Sequence, residues 1–295
     1  MKKTMTLLEF QKQYSSEEDC IEAIAHLRWP KGFVCPDCGH TEGTKLNTRR
    51  AIQCGSCRHQ ISITAGTIFE KTRVSLLNWF WMIFLVAHDK GGASALRLAK
   101  HLGMHYSTVW HMLHKIRQSM SKRDSDSIRL SGLIELDEGF FGGKKRKCQV
   151  LVLIEQGKES AGSLVMKRIL GRVADGPSIK RVVQGYVDNE SQQHFITDSA
   201  WAHSVLKTHM DHNLKSYNST PESAAKKLPW VHMAISLAKR FLLGTYHGVS
   251  RKHMQKYLDE FCFRFNRRFK EDQIHESLIR ACISTPPLSY AALRL

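Results

Sequence analysis

At 295 residues and 42% hydrophobic content, the chain can bury a sizeable core, as two domains or as one domain with an appendage. Lys and Arg number 44 against 27 Asp and Glu, a formal charge of +17. Residues 1–130 carry 19 basic and 11 acidic groups, and residues 131–295 carry 25 and 16, so the excess is spread over both halves. Such a field selects a polyanionic partner, nucleic acid ahead of a membrane surface. The N-terminus, MKKTMTLLEFQKQY, has no long apolar stretch and does not read as a signal peptide. The most apolar run, Leu76 to Ala87, is interrupted by Asn78 and too short to span a bilayer. A cytoplasmic, nucleoid-associated protein without a membrane partner is expected.

In chain order, residues 15–27 predict a short helix with Ser15 or Ser16 as N-cap and acids in its first turn. Residues 33–64 predict a metal ribbon. Cys35 and Cys38 stand in CPDC, and Cys54 and Cys57 in CGSC. This spacing lets two tight turns present four thiolates to one tetrahedral Zn²⁺. Cys20, Cys148, Cys262 and Cys282 stand singly and read as buried, reduced thiols.

A helix is predicted at 75–89, ended by Gly91-Gly92. Residues 95–101 form another, followed by a turn at Leu102-Gly103-Met104 and a helix from Ser107 to Met120. Two helices joined by a short Gly-containing turn make a helix-turn-helix or an ordinary helical hairpin. Val109, Leu113 and Ile116 mark its inner face. Tyr106, Ser107, Thr108, His111 and Lys115 are the candidates for DNA contact. Residues 121–131 read as a polar linker.

The period then changes. GLIELDE, CQVLVLIEQ and LVMKRILGRV predict three strands, with a helix near 178–186 and a further strand at HFITD, 194–198. Residues 209–228 read as a polar loop. Pro229 opens a helix that Gly244 ends, and a last long helix spans Ser250 to Phe269. Asp137 and Asp198 each sit at a strand end, where two carboxylates from neighbouring strands can hold one hard cation, Mg²⁺ or Mn²⁺. Glu138 points to the other strand face and reads as supporting. Gly142-Gly143 with Lys144, Lys145, Arg146 and Lys147 is either a basic hairpin for phosphates or a plain exposed turn.

These pieces resemble, in order and over nearly the whole chain, insertion-sequence transposases of the insertion sequence 1595 type. The matching segments are CPDC…CGSC, TAGTIFEKTR, LAKHLGMHYSTVWHMLHKIR, IELDEGFFGGKK, ITD and LLGTYHGVSRKHMQKYLDEFCFRFNRR. The resemblance implies an α+β multidomain chain: zinc ribbon at 1–70, helix-turn-helix region at 71–125, and RNase H-like α/β catalytic core at 130–295. It implies a DNA transposase that binds inverted-repeat ends, cleaves them and joins them to target DNA, working as a homodimer or higher assembly. A repurposed DNA-binding protein without catalysis is the alternative, and a nuclease without strand transfer a third reading.

The resemblance assigns the first two catalytic carboxylates to Asp137 and Asp198. The third position, usually Glu or Asn, falls on His232, with Lys239 seven residues later on the same helix face. A neutral imidazole can bind a metal but lowers the ligand charge from −3 to −2 and favours Mn²⁺. Glu190, Glu222 and Glu260 are the alternative acids. Lys239 and Arg240 are expected to hold the DNA end.

Overall fold

The computed structural model describes residues 4–46, 49–143, 147–171, 174–188, 190–198, 200–208, 210, 212–217 and 226–294. They form two compact units, one of 1–122 with 270–295 and one of 123–269. No helix among the described residues is long and apolar enough to cross a membrane.

The first unit begins with α1 (Leu7–Gln13) and α2 (Glu17–Arg28), each opened by a capping box, on Thr6 and Ser16. A three-stranded antiparallel sheet follows, β1 (Gly43–Leu46), β2 (Ala51–Cys54) and β3 (Gln60–Ser62). α3 (Leu76–His88) buries Trp79, Phe80, Met82, Ile83 and Phe84, which explains its nearly unbroken apolar run. α4 (Ala95–Leu102) ends on Gly103, whose φ of 60° suits a residue without Cβ, and α5 (Tyr106–Ser127) follows after a three-residue turn. Val109, Leu113 and Ile116 are buried, as their spacing predicts.

The polar stretch at 121–131 departs from expectation, because α5 runs through it to Ser127. No Gly or Pro interrupts it, and Asp124 is engaged by Arg267 Nη1 at 2.7 Å and Asn266 Nδ2 at 3.3 Å. The C-terminal segment also differs: α10 (Ile274–Ser284) belongs to the first unit and packs on α3. The boundary 130–295 therefore does not hold. His275 of α10 sits with its ring 5.7 Å from those of Phe10 and Phe84, so the segment completes an aromatic core.

The second unit is a five-stranded sheet built from β4 (Leu133–Phe141), β5 (Cys148–Gln156), β6 (Ala161–Arg168), β7 (His194–Asp198) and β8 (Asn213–Tyr217). Its order is β6-β5-β4-β7-β8, with the first three antiparallel and β4, β7 and β8 parallel. This is the RNase H-like arrangement. α6 (Gly176–Tyr186) and α7 (Val205–Thr208) cover one face with Ile134, Leu136, Leu151, Leu153 and Phe195. α8 (Pro229–Phe241) and α9 (Met254–Phe265) cover the other with Val150, Val152, Ile154 and Tyr217.

β8 overturns the reading of 209–228 as loop. It is a short edge strand with four of five residues at least partly exposed, so its composition is polar, and the open edge of β7 supplies its hydrogen-bond partners. The helix opened by Pro229 stops at Phe241 and continues as a wider turn, Leu242–Tyr246, so Gly244 lies inside the terminus. Gly139 is required where β4 passes under α8: a Cβ there would stand 2.7 Å from the Phe141 ring and 3.3 Å from Ile235.

Candidate active site

Side chains alternate along β4, so Ile134, Leu136 and Glu138 face α6 and α7 while Glu135 and Asp137 face α8. β7 runs parallel to β4, with Glu135 paired to Ile196. Two residues on, Asp137 stands level with Asp198, but only Asp198 ends its strand: β4 continues to Phe141, paired with β5, so the expectation that Asp137 closes its strand does not hold. Asp198 is paired in turn with Tyr217 on β8.

His232, in the first turns of α8, places Nε2 3.7 Å from Asp137 Oδ2. That nitrogen is buried and has no hydrogen-bond partner. Burial raises the Asp137 carboxyl above its ordinary value, opposed by the Glu138 N–H and by His232 and reinforced by Glu138 and Asp198. The two carboxylates are donors for a hard divalent ion, and the unclaimed imidazole nitrogen is a softer donor that shifts such a set toward Mn²⁺. Asp137, Asp198 and His232 do not bring one ligand atom each within 4.8 Å of one another. Among the described residues only Cys35, Cys38, Cys54 and Cys57 bring one ligand atom each within 4.8 Å of all the others.

Three residues that the sequence did not single out complete the site. His203, almost fully buried, lies in the 3₁₀ turn Trp201–Ser204. Its Nε2 is hydrogen-bonded to Glu138 Oε1 at 3.0 Å, and its Nδ1 lies 3.0 Å from Asp198 Oδ1. Burial would push this imidazole down, but the hydrogen bond and charge of Glu138, with Asp198, outweigh it and hold it above its ordinary value. The supporting reading of Glu138 thus has a physical basis: it grips His203, which meets Asp198.

Glu135, fully buried, accepts a hydrogen bond from Val231 N at 2.8 Å, capping a helix that has no side-chain cap of its own. Burial, opposed by the Val231 and Trp230 N–H groups, raises its carboxyl to about 7. Tyr217 buries its hydroxyl without a partner and is pushed up to about 12 by burial, then by Asp137, Asp198 and Glu135. A strand signal in NLKSY could have revealed Tyr217. Nothing local marks His203.

The alternative third acids lie elsewhere. Glu190 precedes β7, at the opposite end of the strand from Asp198. Glu260 is on α9, reached by the Tyr246 hydroxyl at 3.3 Å and Arg264 at 3.5 Å. Glu222 lies outside the described residues, as do Lys144, Lys145 and Arg146. Lys239 is exposed on α8 with Nζ 5.8 Å from the Phe141 ring centre, two turns beyond His232, and Arg240 is exposed beside it.

In the first unit, Cys35 Sγ is 3.6 Å from Cys57 Sγ and Cys38 Sγ 3.6 Å from Cys54 Sγ, with no disulfide. Gly39 and Arg58, each directly after a Cys-x-x-Cys pair, have φ of 73° and 63° and turn the two knuckles alike. Four converging thiols fit a tetrahedral Zn²⁺. On α5, Tyr106 and Ser107 are exposed and Thr108 is half-buried. His111 stacks edge-on against Tyr290, ring centres 4.1 Å apart. Lys115 is not on the outer face as expected: its ammonium donates to Ile68 O at 3.1 Å beside Trp79.

Two family models match collinear segments. Residues 15–60 match the transposase zinc-ribbon domain, which contains all four cysteines, and residues 129–266 match the ISXO2-like transposase domain. Together they span well over half of the chain. The chain belongs to the insertion sequence 1595 transposase family. A relative of this chain, an uncharacterized protein in transposable element ISH50 of Halobacterium salinarum, is 25% identical over 130 residues. That match spans 43% of this chain and 42% of the relative. Among solved structures, the catalytic domain of Mos1 transposase with raltegravir and Mn is 13% identical with a TM-score of 0.31, covering 60% of this chain and 96% of that one. The Mos1 strand transfer complex is 12% identical with a TM-score of 0.29, over 72% of this chain and 78% of that one.

Proposed function

We propose that this transposase binds the terminal repeats of its own element, cleaves DNA at the repeat end, and joins the freed 3′-hydroxyl to target DNA. The observation that carries the reading is the unclaimed His232 nitrogen aimed at Asp137, on the sheet face that also ends in Asp198.

Asp137, Asp198 and His232 would hold Mg²⁺ or Mn²⁺, and Cys35, Cys38, Cys54 and Cys57 a structural Zn²⁺. Two divalent ions in such a centre supply a Lewis-acid clamp for the attacking and leaving oxygens of an in-line displacement. The chain's own residues supply the positioning. Glu138 and His203 fix the Asp198 carboxylate at the end of β7. Glu135 fixes the N-terminus of α8 and thereby the His232 ring. Lys239 and Arg240 offer cations to DNA phosphates, which hold position without reading sequence. Tyr106, Ser107, Thr108 and His111 on α5, with the ribbon, would contact the repeat. Synapsis of two ends calls for at least a dimer.

A second reading, a DNA-binding protein without catalysis, draws on the same His232: a neutral ring where an acid is usual leaves a weaker cation site. A strand-transfer assay separates the two. Purified protein is mixed with labelled repeat-end DNA and Mn²⁺ or Mg²⁺, beside Asp137→Ala and His232→Ala. Joined products lost in both variants establish the reaction and the role of His232. Binding with no cleavage or joining under either metal favours the second reading. Cleavage without joined product indicates a nuclease. His232→Glu restores the third negative charge and is expected to move the metal preference toward Mg²⁺.

A further inference from the structure

Trp201 is the most exposed of the large hydrophobic side chains among the described residues, at 86%. No ring or cation packs on it among those residues. Phe269, exposed at 73%, has the Arg268 guanidinium 4.4 Å over its ring. A bare indole on a basic protein is a platform in search of a π-face.

Its place in the chain is specific. Asp198 ends β7, and Ala200 N donates to Asp198 Oδ1 at 3.1 Å, so the chain folds back around that carboxylate. Trp201 begins the turn that His203 then pins between Glu138 and Asp198. Three residues from Asp198, its Cα lies within about 11 Å of that residue's Cα by chain reach alone. The turn is thus anchored at the carboxylates while the indole stands free in solvent. Lys207 on α7 and Lys215 on β8 are exposed on the elements that follow, cations suited to neighbouring phosphates.

We propose that Trp201 stacks on a base of the DNA end seated at Asp137 and Asp198, and so holds that end at the site. The proposal rests on the transposase reading for its ligand. Stacking needs no particular base, because every base has a π-face. The cations and the formal charge of +17 favour DNA over a second copy of this equally basic chain.

The test uses the full-length protein and a duplex carrying the element's terminal repeat, with 2-aminopurine at each of the last positions in turn. Wild type, Trp201→Ala and Trp201→Phe are compared for binding without added divalent metal, for the fluorescence change on binding, and for cleavage with Mn²⁺. Trp201→Ala is expected to bind the end roughly tenfold more weakly, the loss of one base–aromatic stack, and to abolish the fluorescence change at one position. Trp201→Phe is expected to keep most of both. Binding and fluorescence unchanged in Trp201→Ala overturn the proposal. So does loss of self-association by the DNA-free variant with DNA binding intact, since the indole then covers a second copy. A wild type that binds and shows the signal but never cuts rejects the catalytic reading and leaves the stack in place. Thermal melting of each variant checks that the fold is unaffected.

Discussion

His203 Nδ1 lies 3.0 Å from Asp198 Oδ1, inside a turn that begins only three residues after that carboxylate. The other ring nitrogen is hydrogen-bonded to Glu138 Oε1 on β4, so one imidazole joins the middle of β4 to the end of the adjacent parallel strand β7. Residues that orient metal-binding side chains typically matter ten- to a hundredfold for metal affinity or activity. His203→Ala is therefore expected to lower cleavage by roughly that range and to raise the Mn²⁺ concentration needed for half-maximal activity. Binding of repeat DNA without metal should be unchanged. A variant with the wild-type metal titration would show that His203 only fills space.

Glu135 ties β4 to the first turn of α8 and stays buried while doing so. Its carboxyl is raised from 4.5 to about 7, so the neutral form is the better fit to the folded state. Its contribution to stability is present below about 4.5 and lost as pH rises through about 7. Glu135→Gln keeps an acceptor for Val231 N without a charge. In metal-free protein it is expected to be more stable than wild type at pH 8, by up to about 3 kcal/mol, and equal to it near pH 4. Glu135→Ala leaves the helix start uncapped and should cost about 1–2 kcal/mol near pH 4, where the wild-type carboxyl is neutral. Urea titrations at the two pH values measure both effects.

His275 lies against Phe10 and Phe84 in the core of the first unit, and burial, helped by His88, lowers it from 6.5 to about 4. The folded state holds the ring neutral. Stability is whole above about 6.5 and drains as pH falls toward about 4, by about 3 kcal/mol in all. His275→Phe should flatten this part of the stability-against-pH curve. An unchanged slope between pH 6.5 and 4 would show that another group carries the acid sensitivity.

The four thiols lie close enough to share one ion, and the ribbon has little else: its buried cluster is Cys35, Cys54 and Ile61, with Trp29 and Phe33 against it. Metal binding and folding are coupled in such small units. Cys35→Ser, or removal of zinc by a chelator, should unfold residues 33–64 and weaken repeat binding. The second unit, which holds none of these cysteines, should keep its own melting transition. Full repeat binding by protein shown to be free of zinc would count against a structural metal.

The ribbon, the two helices joined at Gly103 and Asp198 at the end of its strand are legible in the sequence because each depends on neighbours. Ligand spacing, a Gly-containing turn and the end of the short strand HFITD are all local features. His232 stands out only by family resemblance, since one histidine on an amphipathic helix carries no signal of its own. The direction of Lys115, the continuation of α5 through 121–127 and the strand at 213–217 are not legible in the sequence, for a shared reason. Each is decided by a distant partner: the Ile68 carbonyl, Arg267 and the edge of β7.

By itself, then, the sequence determined the charge that calls for a polyanion, the four thiolates, and the alternation that puts Asp137 and Glu138 on opposite strand faces. Only the tertiary structure decided what meets them. The parallel register of β4, β7 and β8 sets Asp137, Asp198 and Tyr217 in one row. The turn after β7 brings His203 beneath two of the carboxylates, and α8 brings His232 to the third. Those meetings span 5 to 96 positions of chain, as between Asp198 and His203 or Glu135 and Val231. Contacts at the longer of these separations follow from sheet order and helix docking, which no local pattern encodes.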